Sequence, residues 1–289
     1  MQEQEEARLW GAHDVSSSKG MKDENFPVGS FLIAPRVRPA VHAYYRFARI
    51  ADDMVDNAQL SATQKVDRLT ALRDVLYGRR RPPAGRADGW SAVVLRTVLQ
   101  EHGLPLEVGG DLITAFIMDA EKARYEHWSE LLHYCRYSAN PVGRFLLMLH
   151  KESEETFGPS DALCTALQIV NHMQDVKGDL KTLNRCYVPL PWLAAENVGI
   201  EDLLLARSKP GVRRVFDQML AHVDALNEEA ARLPALVKDR RMRLEAAVIV
   251  ALCRRLSARL RHQDPIAERV ALTKLDGLRA LSWAMRYIR

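Results

Sequence analysis

The chain has 289 residues, of which 47% are hydrophobic and 27% charged, a composition typical of a folded globular protein rather than a disordered one. Its longest apolar run, residues 246–253, is far shorter than the ~20 residues that span a bilayer. The acidic N-terminus lacks the apolar stretch of a secretory signal, and four scattered cysteines exclude a disulfide framework. We therefore expect a cytoplasmic protein with buried thiols.

Positive charge is concentrated in the last part of the chain. The net charge is only +4, but residues from 206 onward carry nine more basic than acidic side chains. This excess fits a solvated helix exterior, and it also fits a surface that approaches nucleic acid or anionic lipid, the latter at the inner face of the membrane. Both alternatives stay open. In the second, the basic side chains to test are Arg240, Arg241, Arg243, Arg254 and Arg255.

The first half of the chain has helix signals and almost no strand-like alternation. Helices are predicted over residues 39–55, from a capping box at Ser61 and Gln64 to about Tyr77, and over residues 90–101. The segment 78–89 is predicted as a loop because it holds two prolines and three glycines. A long helix is then predicted to end near Trp128.

The second half continues the helical pattern. A helix over residues 130–151 is expected to break near Pro141 or Gly143, and Ser160 is expected to cap a helix that ends near Leu180. Pro189 and Pro191 bound a predicted loop, and three helices follow over residues 212–232, 240–262 and 276–289. The chain is thus predicted to be a single all-α domain of about ten helices.

The first candidate site lies on the predicted helix 39–55. At 100° per residue, Tyr45, Arg49, Asp52 and Asp56 fall on one stripe and Asp53 on its edge, with apolar residues between them. Crowded carboxylates repel one another unless they are protonated or bridged by a cation, and oxygen ligands one turn apart suit Mg²⁺. The alternative is a solvated acidic helix face.

The second candidate site has the same form and raises the expectation of function. Gln168, Asn171, Asp175 and Asp179 share a helix face, while Lys177 falls on the opposite side and does not neutralise the aspartates. If the two helices face each other, their Asp-x-x-x-Asp pairs form one cage for several divalent ions. A chance surface arrangement seldom occurs twice.

These motifs resemble the squalene/phytoene synthase family over about residues 25–274. The first lies within Tyr-Arg-Phe-Ala-Arg-x-Ala-Asp-Asp, the second within Gln-x-x-Asn-x-x-Gln-Asp, and Arg185-Cys-Tyr-Val-Pro follows. Residues 25–28 (Asn-Phe-Pro-Val), residues 137–144 and the five-residue spacer 180–184 resemble the hydroxysqualene synthase branch of bacterial hopanoid biosynthesis. Asn184 departs from the family, in which glycine is common at this position.

The resemblance implies the all-α isoprenoid synthase fold, with helices around a central active-site cavity over residues 25–289 and an N-terminal extension over residues 1–24. It implies two or three Mg²⁺ ions and, for the hydroxysqualene branch, no NADPH. The implied metal ligands are Asp52, Asp53, Asp56, Asn171, Asp175 and Asp179. The implied catalytic residues are Tyr45, Arg49, Asn171 and Tyr187.

The implied substrate is a prenyl diphosphate, either presqualene diphosphate or farnesyl diphosphate. The residues expected to bind it are Ser30, Phe31, Arg49, Tyr134, Gly143, Gln168, Asn171, Arg185 and Arg269. A carbocation needs a dry aromatic pocket, for which ordinary core packing is the alternative interpretation. The candidates for that pocket are Phe26, Phe31, Tyr45, Phe47, Tyr134, Phe145, Leu146 and Met148. Histidines, including His172, are interpreted as surface or core residues.

The preferred function is Mg²⁺-dependent conversion of presqualene diphosphate and water to hydroxysqualene and pyrophosphate. The enzyme alternative is a head-to-head condensing synthase that makes presqualene diphosphate, squalene or phytoene. The non-enzyme alternative is a degenerate member that acts as an assembly factor, but such a protein would be expected to lose the aspartates. No nucleic-acid partner is expected, because the arginines are spread over several helices without a recognisable module.

Overall fold

A computed structural model describes residues 9–10, 14, 34–82 and 84–287. Within these ranges the chain forms α-helices and short 3₁₀-helices, without a β-strand, and a single parallel bridge pairs Tyr125 with Pro189. The all-α prediction is confirmed. The chain divides into two compact units, Met1–Glu121 and Lys122–Arg289. None of the described helices has the combined length and apolar composition that crossing a membrane requires.

The first unit has four described α-helices around one apolar core. Its helices are α1 (Arg38–Asp56), α2 (Ala62–Leu76), α3 (Ala87–Glu101) and α4 (Glu107–Glu121). Phe47 and Met54 of α1 are fully buried, since α1 packs against α2, α3 and α4. The Tyr44 hydroxyl donates a hydrogen bond to the Val108 carbonyl at 2.9 Å, which ties α1 to the start of α4. The core therefore fixes the rotation of α1 and hence the direction of its polar stripe.

Three described residues of the predicted N-terminal extension contact this unit. Trp10 is fully buried, and its carbonyl accepts a hydrogen bond from the Arg86 guanidinium. The Asp14 carboxylate accepts from Arg86 at 2.9 Å and from the Ala87 amide at 3.1 Å, so it occupies the start of α3. These contacts hold the pKa of Asp14 below its ordinary value, although its partial burial acts in the opposite direction.

The second unit has eight described α-helices, with a long central one. Its helices are α5 (Trp128–Ser138), α6 (Asn140–Leu149), α7 (Phe157–Thr182), α8 (Leu190–Ala195), α9 (Pro210–Ala230), α10 (Leu233–Leu236), α11 (Arg240–His262) and α12 (Lys274–Ala284). Helix α7 packs against α5, α6, α9 and α11. Ile169 and Val170 of α7 are fully buried, so this helix is held on several sides and its remaining stripe is free to carry polar groups.

Predictions of helix starts and breaks were confirmed where they depend on residues that are close in the sequence. Ser61 caps α2, and both bonds of its capping box with Gln64 are present. The predicted helix 130–151 does break, at Ala139, where Pro141 opens α6. The cysteines of the described chain are free, and three of the four are buried.

Three predicted boundaries were wrong. The helix expected to reach Trp128 ends at Glu121, because Cys186 and Leu190 donate backbone hydrogen bonds to the carbonyls of Ala123 and Tyr125 and hold this segment outside the helix. Ser160 does not cap α7 but lies buried inside it, since the helix begins at Phe157 after a 3₁₀ turn. The predicted loop at Pro189 and Pro191 instead opens the short helix α8, with Pro191 in its first turn.

A buried carboxylate fastens α12 to α11. Asp276 is 1% exposed, and its oxygens lie 2.6 Å from Arg255 Nε and 2.6 Å from Arg259 Nη2. It also accepts from the Thr273 amide at 2.9 Å and completes a capping box. Burial alone would raise the pKa of Asp276, but the bonds from Thr273, Arg255 and Arg259 outweigh it and hold the pKa far below its ordinary value.

Replacing Asp276 with asparagine is expected to lower the free energy of unfolding by about 2 kcal/mol, because two charge-assisted bonds are lost. A carboxylate with a depressed folded-state pKa stabilises above the ordinary carboxyl pKa of about 4, and this contribution disappears as pH falls through the folded-state value. The difference between Asp276→Asn and the unsubstituted chain should therefore shrink in strong acid. Urea titrations at neutral and acidic pH measure it, and an equal difference at both would contradict this account.

Candidate functional site

The first Asp-x-x-x-Asp motif lies on α1, where an arginine joins two of its carboxylates. Arg49 Nη1 lies 2.9 Å from Asp52 Oδ2, and Arg49 Nη2 lies 2.6 Å from Asp53 Oδ1. Tyr45, Asp52 and Asp56 are half-buried on the same stripe, whereas Asp53 is buried. Burial would lower the pKa of Arg49. The hydrogen bond that Arg49 donates to Asp53 and the negative charge of Asp52 outweigh burial and raise this pKa. Arg49 is therefore a fixed cation beside the motif.

The second motif lies on α7, in the second unit. Gln168, Asn171 and Asp179 are half-buried, and Asp175 is exposed. Lys177 projects away from them, since its ammonium donates to the carbonyls of Leu205 and Ile266 at 2.7 and 3.1 Å. The prediction that Lys177 does not neutralise the aspartates is thus confirmed.

The turn after α7 brings the predicted site residue Arg185 back to the motif. The Arg185 amide donates to the Asp179 carbonyl at 3.2 Å, and the Arg185 side chain is buried. Asn184 makes this turn with φ of 53°, in the left-handed region that asparagine tolerates better than most residues. Arg124 donates to the Asn184 carbonyl and, at 2.6 Å, to its side-chain oxygen. The departure from glycine at position 184 is therefore compatible with the turn.

Aromatic rings pack beside the second motif. Tyr187 is buried and stacks on His172, with centroids 3.5 Å apart and planes at 16°. The Tyr134 and Tyr125 rings lie 5.4 and 5.5 Å from the Tyr187 ring. The predicted site residues Tyr134 and Tyr187 are thus brought together with Gln168, whose amide nitrogen lies 3.0 Å from the His172 ring.

His172 is the residue of this cluster that sequence reasoning missed. Burial, with the charge of Arg185, lowers the pKa of His172 to about 3, so the imidazole is neutral. An amide nitrogen can only donate, so His172 Nε2 accepts the bond from Gln168. His172 has no partner at metal-ligand spacing in the sequence, but its four-residue distance from Gln168 places both on one face of α7.

The other predicted residues have different placements. Ser30, Phe31 and Phe26 lie outside the described residues. Phe47 and Phe145 are almost fully buried, as ordinary core packing requires, while Leu146 and Met148 are half-buried. Arg269 is exposed on the segment between α11 and α12.

Gly143 lies at a close crossing of α6 and α7. A Cβ added there would overlap Ser160 Oγ and lie 2.7 Å from Cys164 Sγ. Glycine at this position therefore allows two helices to approach. The direction in which a side chain would project is filled by α7.

Replacing Gly143 with alanine is expected to lower the free energy of unfolding by about 1–3 kcal/mol, because the added methyl group overpacks the helix contact. Gly158→Ala is the matched control, since nothing lies within 4 Å of its Cβ position and helical alanine is favoured over glycine. Urea denaturation of both variants measures the difference. Equal free energies of unfolding for the two variants would contradict the prediction, because the α6–α7 contact would then accommodate the added methyl group.

The donor set of both motifs fits Mg²⁺. Among the described residues, no group of three or more His, Cys, Asp and Glu side chains forms a metal cluster. Each motif instead supplies a pair of aspartates one helical turn apart, and Mg²⁺ is typically bound by one or two carboxylates together with substrate phosphates and water. Such pairs suit an ion that arrives with a diphosphate.

Comparison with known proteins identifies the family. The squalene/phytoene synthase family model matches residues 21–276. The chain is 42% identical over 277 residues to hydroxysqualene synthase of Rhodopseudomonas palustris, covering 96% of this chain and 93% of that protein. It is 41% identical over 255 residues to hydroxysqualene synthase of Sinorhizobium fredii, covering 88% and 85%.

Solved structures agree. A squalene synthase from Alicyclobacillus acidocaldarius superposes with a TM-score of 0.71 at 33% identity, covering 83% of this chain and 88% of that one. A dehydrosqualene synthase determined with a ligand superposes with a TM-score of 0.75 at 22% identity over 92% of both chains, which shows a shared fold. The resemblance predicted from the two aspartate motifs is confirmed, and the chain belongs to the squalene/phytoene synthase family, whose members act on prenyl diphosphates.

Proposed function

We propose that this chain converts presqualene diphosphate and water to hydroxysqualene and pyrophosphate in a Mg²⁺-dependent reaction. One observation carries this choice within the family. The relatives named hydroxysqualene synthase are more than 40% identical along most of the chain, whereas the phytoene synthase of Thermus thermophilus is 29% identical over 71% of it. This difference in sequence identity favours the hydroxysqualene synthases, rather than the phytoene synthase, as the relatives that share this chain's reaction.

The reaction begins with ionisation of the bond between carbon and the diphosphate oxygen. The electron pair leaves with pyrophosphate, so negative charge grows on the leaving group and must be stabilised. In this proposal Arg49 and Arg185 bind the diphosphate, and guanidinium groups suit it because their planar fork donates two parallel hydrogen bonds.

The proposed metal ligands are Asp52, Asp56, Asp175 and Asp179, with Asn171 assisting. Bound Mg²⁺ would supply Lewis-acid stabilisation of the departing diphosphate. Besides its expected place among the metal ligands, Asp53 positions Arg49. Its buried carboxylate holds Arg49 Nη2 at 2.6 Å, so it orients the guanidinium at the diphosphate.

The carbocation left behind rearranges and is then captured by water, which loses a proton as the hydroxyl forms. In this proposal Tyr134 and Tyr187, whose ring centroids lie 5.4 Å apart close to the second motif, line the pocket, because aromatic rings attract cations. The neutral His172 adds a hydrogen-bonding group to this aromatic wall.

The condensing-synthase alternative uses the same motifs on two prenyl diphosphate molecules, and the assembly-factor alternative predicts no turnover. Purified protein incubated with presqualene diphosphate and Mg²⁺ should release pyrophosphate and form hydroxysqualene without NADPH. With farnesyl diphosphate alone it should form no C30 product, and with geranylgeranyl diphosphate alone no C40 product. Formation of presqualene diphosphate from farnesyl diphosphate, of squalene when NADPH is added, or of phytoene from geranylgeranyl diphosphate would overturn the proposal in favour of condensation. Inertness toward both substrates would overturn it in favour of an assembly factor.

A further inference from the structure

The helix α12 carries its large apolar side chains on the outside. Leu275, Leu278, Leu281 and Met285 are 53%, 66%, 40% and 55% exposed. The buried side of the helix has small or charged residues instead, namely Asp276, Ala280 and Ala284. An ordinary surface helix has the reverse pattern, with large apolar residues against the core.

These exposed residues form one band rather than isolated positions. At 100° per residue, Leu275, Leu278 and Leu281 fall within about 120° of the helix circumference, and Met285 follows in the 3₁₀ turn that continues α12. A band of four large apolar side chains is the kind of surface that marks an interaction site. We call it the α12 apolar face.

The opposite side of α12 is fixed, so the face cannot turn inward. Asp276 holds Arg255 and Arg259 of α11 at 2.6 Å each, and Ala280 and Ala284 are buried at the contact of α12 with α11. Rotating α12 to bury its leucines would break both ion pairs and leave a carboxylate without them. The contacts that attach α12 to α11 therefore keep the leucines exposed.

The exposed charged side chains of α12 and of the 3₁₀ turn that follows it all have one sign. Lys274, Arg279 and Arg286 are exposed beside it, and the acidic residue of the helix, Asp276, is buried and paired. An apolar band with a cationic border matches an anionic lipid surface.

We propose that the α12 apolar face docks the protein on an anionic membrane, with its leucines in the interfacial region and its cations against lipid headgroups. A second copy of the chain is a poorer occupant, because two-fold pairing of identical faces would bring their cationic borders together. The basic cluster expected from the sequence is less suited. Arg254 is paired with Glu228 and Arg255 with Asp276, while Arg243 donates to the Val237 and Lys238 carbonyls. This docking is independent of the proposed reaction.

Vesicle co-sedimentation of the full chain tests the proposal. Binding is expected to vesicles that contain phosphatidylglycerol, to weaken as salt rises, and to be far weaker on phosphatidylcholine alone. Leu275→Ser with Leu278→Ser should reduce binding by about tenfold or more, since two apolar anchors are lost. The matched control is Leu204→Ser with Leu205→Ser, which makes the same change at two other exposed leucines and should leave binding unchanged.

The cationic border is tested separately. The triple substitution of Lys274, Arg279 and Arg286 by glutamine should weaken binding several-fold and flatten its salt dependence. The same substitution at Arg81, Arg136 and Arg207, which are exposed elsewhere, removes equal charge and should have a smaller effect. Circular dichroism confirms that each variant is folded.

Three results would overturn the proposal. The first is the absence of binding to phosphatidylglycerol vesicles at low salt. The second is equal loss of binding in the α12 variants and their controls. The third is a dimer in sedimentation equilibrium that Leu275→Ser with Leu278→Ser converts to monomer, without any vesicle binding by the unsubstituted chain. That third result would assign the face to another copy of the chain.

Discussion

Asp52→Asn and Asp175→Asn are each expected to lower turnover of presqualene diphosphate by about a thousandfold while the chain stays helical. Each change removes a negative oxygen ligand for Mg²⁺, and Lewis-acid stabilisation of a leaving group is worth several kcal/mol, with about 1.4 kcal/mol for each factor of ten. A pyrophosphate-release assay measures the rate, and circular dichroism measures the fold.

The matched control for this prediction is Asp161→Asn. Asp161 lies on α7 with Asp175, but its partner is Arg144 at 2.5 Å on the surface, and surface ion pairs contribute little. Its rate should stay close to that of the unsubstituted chain. Near-normal rates for both motif variants would remove the metal assignment.

Arg185→Lys and Arg49→Lys are expected to lower the same rate by about 10–100-fold although charge is conserved. Lysine places one ammonium where arginine places a planar fork, so bidentate binding of the diphosphate is lost. At position 49 the fork also joins Asp52 and Asp53, at 2.9 and 2.6 Å, and lysine cannot span both carboxylates equally well.

Arg213→Lys is the control that separates the loss of diphosphate binding from the general cost of replacing a guanidinium with an ammonium. Arg213 donates to one oxygen of the Asp217 carboxylate through Nε at 3.1 Å and Nη2 at 2.7 Å, and it lies outside both motifs. It should retain its rate. Full activity of both motif variants would instead make Arg49 and Arg185 partners in structural ion pairs.

Both polar stripes were predictable because each lies within one helix. The 3.6-residue period alone places Asp52 with Asp56 and Asp175 with Asp179, and it places Lys177 on the other side. The helix start at the Ser61–Gln64 capping box and the helix break at Pro141 were predicted for the same reason, since each depends on residues within one turn.

Features that depend on distant partners were not predictable in this way. Residues 122–127 leave the helical pattern because their carbonyls accept from amides more than 60 residues later. The role of His172 depends on Tyr187, which returns to it only after the turn at Asn184. The outward leucines of α12 have ordinary helical spacing, and only the ion pairs of Asp276 with α11 decide which side faces out.

Incubation with presqualene diphosphate in ¹⁸O-labelled water tests the proposed reaction most directly. If water captures the rearranged cation, the C30 alcohol should gain one ¹⁸O atom at carbon, while the pyrophosphate keeps the oxygen of the broken carbon–oxygen bond and remains unlabelled. Mass spectrometry of both products measures this. A C30 alcohol without ¹⁸O, labelled pyrophosphate, or a hydrocarbon in place of the alcohol would contradict the proposed ionisation and water capture.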